Sequence, residues 1–468
     1  MLFPTMVFGL LFLVVFVTAW SLDQENTRRK AFLLLASWVF YGWWDWRFVA
    51  LLIFSATFNW AIAELIDRNS SRGVRRALVA LAVTVDLAIL GVFKYYGFFI
   101  DQLGAALDLF GWRRDLPLLQ IVLPVGISFF TFQAISYVVD VYRGQCRKAR
   151  SLLDVMLLMS FFPHLIAGPI VRAKDFLPQL DRVPRPDRSM LARALLLIVW
   201  GLFKKTVIAS ELATGLVDPV FFDPSAHGAA DLLAATYGYA VQIYCDFSAY
   251  SDIAIGVAAM LGYRFPRNFD QPYRASSLQD FWRRWHMSLS GWLRDYVYIP
   301  LGGGRGGLAG TCRNIMITLL LGGLWHGAAW TFVAWGALHG AALCWERIWG
   351  AIRPQGRPAL PAAVGVLITF HIVCLGWILF RSESFPAALS FLEGFARWRA
   401  PAAATPFLIG MIGLGLAIHV LPPRLVERLG ALARYAPSPA LGVAIGLLML
   451  LVEAIRPEGI APFIYFQF

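Results

Sequence analysis

His326 is the residue whose type and setting best fit chemistry inside an apolar protein. From residue 315 to residue 343 the sequence has no Asp, Glu, Lys or Arg, so His326 and His339 are the ionisable groups of this run. With a helical rise of about 1.5 Å per residue across a hydrocarbon core of about 30 Å, we expect His326 near mid-depth and His339 near the far boundary.

Two interpretations of His326 are open. A histidine at mid-depth usually faces a bundle interior or a water-filled cavity, but a packing histidine bonded to a neighbouring carbonyl would fit the same pattern. Gly322, Gly323 and Gly327 favour the functional interpretation, because they let another backbone or an extended ligand approach closely. For His339 we expect interfacial packing.

A second set of polar residues precedes this run. His286 lies in a tryptophan-rich amphipathic segment, and two histidines could meet in a cavity as proton carriers. Asp246 and Tyr250 are four residues apart and share a helix face, whereas Asp252 looks elsewhere. These carboxylates could instead be structural, paired with an arginine such as Arg283 or Arg294.

The pattern favours transfer chemistry assisted by a histidine base. Motifs of zinc proteases, nucleophile-elbow hydrolases and phosphate-binding loops are missing from the sequence. Neither a metal nor a bound cofactor is therefore expected. A histidine in a dry channel should stay neutral, since burial disfavours the imidazolium, and should be ready to accept a hydroxyl proton.

Composition places these residues in a membrane. Of the 468 residues 59% are hydrophobic and only 15% are charged, which argues against a soluble enzyme. The net charge of +12 resides in short basic connections that are typical of cytoplasmic loops facing anionic lipid, so we expect membrane lipid and no nucleic acid as a partner. We expect a multi-pass membrane protein with its first apolar segment retained.

Hydropathy predicts an all-α fold in one domain, residues 1–468, with N-terminal spans (1–115), a catalytic core (116–345) and C-terminal spans (346–468). The connection at 45–46 predicts a tight hairpin or one bent helix, and Pro124 with Gly126 predicts a broken element. The candidate spans are 5–22, 31–44, 47–66, 77–99, 118–140, 152–170, 190–213, 231–261, 313–344, 359–380, 405–421 and 439–454.

Residues 263–311 interrupt this series with mixed polarity. The segment 280–295 predicts a helix with an aromatic stripe opposite arginines, lying in or entering the membrane interface. Gly302, Gly304 and Gly307 have the spacing of a dinucleotide-binding loop, but without the helix that such a loop needs. A flexible or re-entrant turn is expected there.

Eight motifs of the sequence belong together: Asn268–Arg274, Phe281–Ser290, Trp292–Gly303, Gly323–Trp330, Trp335–Gly340, Asp246–Gly256, Pro124–Gln133 and Phe463–Phe468. They resemble motifs of the membrane-bound O-acyltransferase family, in its bacterial alginate O-acetyltransferase-like branch, and the likeness covers nearly the whole chain. One departure is Ala249, where that pattern has glycine.

The resemblance implies a fold and a set of roles. It implies about eleven or more transmembrane helices, with interfacial and re-entrant helices, around a central tunnel. His326 matches the essential histidine of the family and His286 its second, less uniformly required position. An acyl thioester such as acetyl-CoA would enter from the cytoplasm as donor. We expect the tunnel to be lined by Asp246, Ser248, Tyr250, Asp252, Trp285 and Trp325.

The function predicted from these features is transfer of an acetyl group from acetyl-CoA across the inner membrane for O-acetylation of an exopolysaccharide. The resemblance implies a periplasmic SGNH-type acetyltransferase and polysaccharide export or synthase components as partners. Arg283, Arg284 and Arg294 could hold the donor's phosphates, or be ordinary interfacial charges. Two alternatives stay open: D-alanyl transfer of the teichoic-acid type, and a transporter that uses Asp246, Asp252 and His326 as a proton relay.

Overall fold

The computed structural model describes residues 3–22, 25–112, 119, 121–185, 187–352, 361–422, 425–433, 435 and 438–455. Over these residues every regular element is a helix, which confirms the all-α prediction. The chain forms two compact units, Met1–Asp187 with Val257–Phe265 and Arg188–Gly256 with Pro266–Phe468. The three-part division of a single domain stays a prediction. The terminal motif 463–468 lies outside the described residues.

Among its described residues, the first unit contains nine α-helices. A π-helical turn, Gly91–Tyr95, follows α4 directly. The helices are α1 (Met6–Ser21), α2 (Asn26–Asp45), α3 (Arg47–Arg68), α4 (Arg72–Leu90), α5 (Tyr96–Leu109), α6 (Ile127–Tyr142), α7 (Leu152–Ser160), α8 (Phe162–Leu165) and α9 (Ala173–Leu180).

The second unit contains the remaining helices, and the last residues of α13 run into the first unit. Three further π-helical turns are Phe203–Ala209, Ala213–Val217 and Arg294–Tyr298. The helices are α10 (Arg188–Leu202), α11 (Ser210–Leu212), α12 (Asp218–Phe222), α13 (Ala229–Met260), α14 (Leu278–Arg284), α15 (Met287–Leu293), α16 (Gly307–His326), α17 (Trp330–Ile352), α18 (Ala362–Arg381), α19 (Phe385–Glu393), α20 (Pro406–Ala417), α21 (Leu425–Ala433) and α22 (Ser438–Ile455).

Four of the described helical segments are long and apolar enough to cross a bilayer: Arg47–Arg68, Arg72–Leu109, Gly307–His326 and Ala362–Arg381. Shorter apolar helices such as Met6–Ser21 and Ile127–Tyr142 accompany them. The chain therefore has the helices of a membrane protein. The number of crossings predicted from hydropathy stays a prediction.

Local sequence sets the helix ends of the first unit. Separate helices α2 and α3 meet at Trp46, and α6 begins only after Gly126, whose φ of 78° is left-handed. The predicted break near Pro124 and Gly126 is thus confirmed. Both α2 and α3 pack against α7, where the buried Lys30 pairs with Asp154 at 2.5 Å.

Two glycines let α10 and α13 approach closely in the second unit. A methyl group on Gly201 would lie 2.9 Å from the carbonyl oxygen of Ala249, and one on Gly256 would lie 2.8 Å from that of Ala194. Ala194, which is earlier in α10 than Gly201, faces the later residue of α13, so the two helices are antiparallel. Although Ala249 stands where glycine was expected, close contact is kept because Gly201 faces it.

A helical hairpin replaces the continuous run predicted for 313–344. Helix α16 ends at His326, and α17 begins at Trp330 and packs back along α16. A methyl group on Gly323 would collide with the carbonyl oxygen of Phe332, and one on Gly336 with that of Leu319. The candidate span 313–344 thus consists of two helices, because the glycines allow them to fold against each other. The depth of His326 in the membrane stays a prediction.

The segment 280–295 is also broken. Helix α14 is capped by Ser277, whose Oγ accepts the backbone N–H of Asp280, and it stops before His286, which has a left-handed φ of 42°. The prediction of a single helix is therefore wrong. Trp285 and Trp292 are buried in the protein, and the position of the segment at the membrane interface stays a prediction. The glycine segment forms a turn, with positive φ at Gly302, Gly303 and Gly307, as predicted.

Candidate active site

His326 is the last residue of α16, at the turn of the α16–α17 hairpin. Its side chain is buried, and its ring centroid lies 5.0 Å from those of Trp325 and Trp335 and 5.2 Å from that of Phe380. Each of these rings meets the imidazole at a steep angle. A box of aromatic side chains therefore fixes the orientation of His326 and separates it from bulk water.

His286 joins α14 to α15 and is fully buried. Its Nδ1 lies 3.2 Å from Oδ1 of Asn268, and its ring packs edge-to-face on Phe247 with centroids 4.6 Å apart. A left-handed backbone is uncommon for a residue other than glycine and costs roughly 1 kcal/mol or more. Here the turn aims the imidazole inward. Burial lowers the pKa of His286 to about 3, so the ring is neutral at physiological pH.

One tryptophan contacts both histidines. The ring centroid of Trp325 lies 6.1 Å from that of His286 and 5.0 Å from that of His326. The row continues through Trp335 to His339, whose centroids are 4.8 Å apart. His339 is fully buried in this row, which agrees with a packing role; its position at the membrane interface stays a prediction. It returns beside α16 because α17 runs antiparallel to that helix.

The predicted carboxylates pair with lysines. Lys205 Nζ lies 2.8 Å from Asp246 Oδ1, and Lys204 Nζ donates to Asp252 Oδ2 and to Ser248 Oγ, at 2.7 Å each. The expectation of arginine partners for these carboxylates is thus wrong. Consecutive lysines reach two faces of α13, since the π-helical turn that carries them widens the helix locally.

Helix α13 connects these ion pairs to the histidines. Phe247, between Asp246 and Ser248 in sequence, is the residue that packs on His286. Tyr250, four residues after Asp246, has its ring 5.7 Å from Lys205 Nζ. Of the residues predicted to line a tunnel, Trp325 contacts both histidines, whereas Asp246, Ser248 and Tyr250 contact the lysines; their role in lining a tunnel stays a prediction.

Trp285 has a different environment. Its ring lies 4.9 Å from that of Trp377 on α18 and stacks on Phe281 at 5.7 Å. Phe269 packs on its other side and also lies beside His286, at 6.3 Å between centroids. Trp285 thus contributes to the packing behind His286. Its role in lining a tunnel stays a prediction.

The three arginines differ in their surroundings. Arg284 Nε lies 2.9 Å from Asp280, and Arg294 Nε lies 2.7 Å from Asp295, so each has a carboxylate partner close in sequence. Arg283 is exposed. Arg294 is exposed as well, and Arg284 is partly buried; phosphate binding by these side chains stays a prediction.

Three residues of this site were not singled out from the sequence. Lys204 and Lys205 interrupt an apolar span, and two carboxylates in the neighbouring span are the signal that could have identified them as counter-ions. Asn268 belongs to a motif that resembles the family, but its contact with His286 depends on a chain reversal over 18 residues that no local pattern reveals.

A model of the membrane-bound O-acyltransferase family matches residues 147–384, which contain both histidines, Asn268 and the lysine–carboxylate pairs. The sequence is 42% identical to a probable alginate O-acetylase of Pseudomonas aeruginosa, over 85% of this chain and 76% of that protein. It is 36% identical to a probable alginate O-acetylase of Azotobacter vinelandii, over the whole of both chains. The chain belongs to the membrane-bound O-acyltransferase family. It is thus an O-acyltransferase, as the sequence motifs predicted.

Other relatives of this O-acyltransferase carry different names. A peptidoglycan O-acetyltransferase of Helicobacter pylori is 34% identical over 84% of this chain and 79% of its own. A teichoic acid D-alanyltransferase of Streptococcus thermophilus is 29% identical over 55% of this chain and 68% of its own. Similarity to the O-acetylating relatives is therefore both higher and more extensive.

Proposed function

We propose that this O-acyltransferase moves an acetyl group from cytoplasmic acetyl-CoA across the inner membrane for O-acetylation of an exopolysaccharide. The observation that carries the proposal is the pair of buried imidazoles, His286 and His326, on either side of Trp325. The extent of similarity to probable alginate O-acetylases supports acetyl as the group and a polysaccharide as its destination.

In the proposed reaction His326 is the general base. An acceptor hydroxyl attacks the thioester carbonyl carbon, a C–O bond forms, and the C–S bond breaks. The hydroxyl proton passes to His326 and then to the departing CoA thiolate, so CoA leaves as the thiol. A positioned general base contributes about 10²–10⁴-fold in rate. His286 either orients a substrate or donates a hydrogen bond to the oxyanion, an interaction worth about 2.7–4 kcal/mol.

The proposal includes eleven or more transmembrane helices around a central tunnel. Asp246, Ser248, Tyr250 and Asp252 would contribute a polar wall from α13, and Trp285 and Trp325 an aromatic one. The donor's phosphates would bind Arg283, Arg284 and Arg294. Because Arg284 and Arg294 already contact carboxylates, phosphate would have to compete there, and Arg283 would contribute most.

A periplasmic SGNH-type acetyltransferase is the proposed acceptor of the group, with polysaccharide export or synthase components in the same assembly. In the proposed reaction His326 accepts the proton of a hydroxyl group. That hydroxyl could belong to a serine of the partner, which would relay the acetyl group, or to the sugar itself. Retention of label on the partner, in the experiment below, distinguishes these routes.

The alternatives make different predictions. D-alanyl transfer requires a carrier-protein thioester as donor, and shorter similarity to D-alanyltransferases supports it less well. A proton relay through Asp246 and Asp252 would have to break ion pairs of 2.8 and 2.7 Å in a buried setting. Acyl transfer leaves both pairs intact and is therefore favoured.

The test uses the full-length protein in nanodiscs with radiolabelled acetyl-CoA, and the purified SGNH partner or polysaccharide as acceptor. We expect transfer by the wild type and a loss of about 10²-fold or more in His326→Ala. His371→Gln is the matched control, since His371 is exposed on α18 and bonds Tyr237 at 2.9 Å. Undiminished transfer by His326→Ala would exclude the proposed mechanism. Transfer from a D-alanyl carrier thioester but not from acetyl-CoA would favour the alternative donor.

A further inference from the structure

Asn268 links α13 to the two residues that follow His286. Its Oδ1 accepts the backbone N–H of Ser288 at 3.2 Å and the hydroxyl of Ser288 at 2.9 Å. Its Nδ2 donates to Ser251 Oγ at 3.1 Å, and its backbone carbonyl accepts the N–H of Met287 at 2.9 Å. The amide is thus held from both ends and is itself buried.

These contacts fix which way the amide points. The backbone N–H of Ser288 can only donate, so the Asn268 atom that faces it must be the oxygen. His286 Nδ1 lies 3.2 Å from that same oxygen. Ser288 Oγ also lies 3.5 Å from Nδ1, but its single hydrogen is directed to Asn268 Oδ1 at 2.9 Å. Two acceptors facing each other, Nδ1 and Oδ1, would repel, so we assign the hydrogen to Nδ1.

A neutral imidazole has one N–H, so a hydrogen on Nδ1 leaves a lone pair on Nε2. Nε2 is buried and has no hydrogen-bond partner among the described residues. A buried polar atom left without a partner costs about 1–3 kcal/mol. Together with the left-handed backbone at His286, this indicates an arrangement kept for binding rather than for stability.

We infer that Asn268 is a positioning residue that holds His286 in the Nδ1–H form, so that Nε2 accepts a hydrogen bond from a substrate. A donor to an oxyanion needs a hydrogen on the nitrogen that faces it. With the hydrogen on Nδ1, His286 orients a substrate that carries an O–H or N–H group, and the oxyanion is stabilised by other groups.

The identity of the substrate rests on the proposed function. Acetyl transfer supplies two such donors, a hydroxyl of the acyl acceptor and an amide N–H of the pantetheine arm of CoA. Both are uncharged hydrogen-bond donors. His286 lies at one end of the row of rings that includes Trp325 and His326. The kinetic experiment below separates the two donors.

The first test reads the tautomer directly and needs no activity. Protein labelled with ¹⁵N at histidine is studied by NMR in nanodiscs, and the His286 signals are assigned by their loss in His286→Asn, since asparagine tolerates a left-handed backbone. We expect Nδ1 to be protonated and Nε2 to be unprotonated. Protonation of Nε2 in the wild type would overturn the inference, whatever the acyl donor proves to be.

The second test alters Asn268. Asn268→Asp keeps an acceptor for Nδ1–H, and we expect kcat to stay within about threefold of the wild type with the same tautomer. Asn268→Leu removes the acceptor, and we expect kcat to fall about 10- to 100-fold with a mixed tautomer signal. Unchanged kcat and an unchanged NMR signal in Asn268→Leu would contradict the positioning role.

The matched control is Asn314→Leu. Asn314 is also buried in the second unit, but its amide donates to the carbonyl oxygen of Gly303 at 2.9 Å. We expect this variant to lose stability while its His286 signals keep the wild-type tautomer. If Asn268→Leu fails to fold, the wild-type NMR result and Asn268→Asp still decide the inference.

The substrate is identified with His286→Asn. A higher KM for the acyl acceptor assigns Nε2 to the acceptor hydroxyl, whereas a higher KM for acetyl-CoA assigns it to the pantetheine amide. A fall in kcat with both KM values unchanged is the signature of an oxyanion donor and would overturn the inference. Absence of any acetyl transfer, with the expected tautomer present, would remove the proposed function but leave the role of Asn268 standing.

Discussion

The buried pair of Lys205 and Asp246 allows a quantitative prediction about stability. Their side chains are only 1% and 2% exposed, and Nζ lies 2.8 Å from Oδ1. Substitution Lys205→Met removes the cation but leaves the carboxylate buried. Removal of one member of such a pair costs about 3–5 kcal/mol, because the remaining charge has lost both water and its partner. We expect this loss in the free energy of unfolding of Lys205→Met.

Neutralising both members of the pair should recover most of the lost free energy of unfolding. In Lys205→Met/Asp246→Asn neither member of this pair carries a charge, and we expect stability within about 1–2 kcal/mol of the wild type. The double-mutant cycle would then give a coupling energy of about 2 kcal/mol or more. Unfolding in detergent, followed by tryptophan fluorescence in denaturant titrations, measures all four proteins.

The neighbouring pair is an internal control. Lys204 lies 2.7 Å from Asp252, but the side chain of Asp252 is 24% exposed, so water can solvate the carboxylate when its partner is lost. We expect Lys204→Met to cost about 1–2 kcal/mol, less than Lys205→Met. Equal losses for the two lysines, or additive effects in the cycle, would refute the reasoning from burial.

Three further predictions concern Gly336, Asp231 and His286 of the second unit. Gly336→Ala places a methyl group against the carbonyl oxygen of Leu319, so we expect a loss of about 1–3 kcal/mol in thermal unfolding and a lower kcat, since His326 is at the turn of the same hairpin. Asp231 accepts the backbone N–H groups of residues 402–404 at 2.9–3.0 Å; Asp231→Asn should cost about 1.5–3 kcal/mol and speed proteolysis of that segment. In the folded protein the pKa of His286 is lowered to about 3 by burial, whereas in the unfolded chain the ring takes up a proton near pH 6.5. As pH falls through this window, the wild type should therefore lose about 1.4 kcal/mol per pH unit more than His286→Asn, and parallel stability curves would contradict this.

The sequence predicted the nature of the elements better than their ends. Low charge and long apolar runs predicted helices, and helices are what the described residues form. The run through His326 and His339 was taken as one segment because hydropathy does not change at residue 327. The break there comes from glycines packing against the backbone of α17, a tertiary contact that hydropathy cannot reveal.

The site shows the same limit. His286 and His326 were selected correctly as buried residues with a common neighbour, since histidines are conspicuous in an apolar sequence. The partners of the carboxylates were assigned to arginines that follow α13 in the sequence, whereas the structure uses lysines that precede it. Each buried carboxylate requires a cation nearby. The sequence does not show which residues supply these cations, because that depends on the antiparallel contact of α10 with α13.

The contact between Ser288 and Asn268 has a consequence for how the site can change by mutation. The group that orients the Asn268 amide is a backbone N–H, which every amino acid except proline supplies. Side-chain replacement at position 288 therefore leaves this donor in place. The main chain at Ser288 thus sets the orientation of the Asn268 amide, and as long as Asn268 is kept, substitutions at position 288 leave the oxygen of that amide facing Nδ1 of His286.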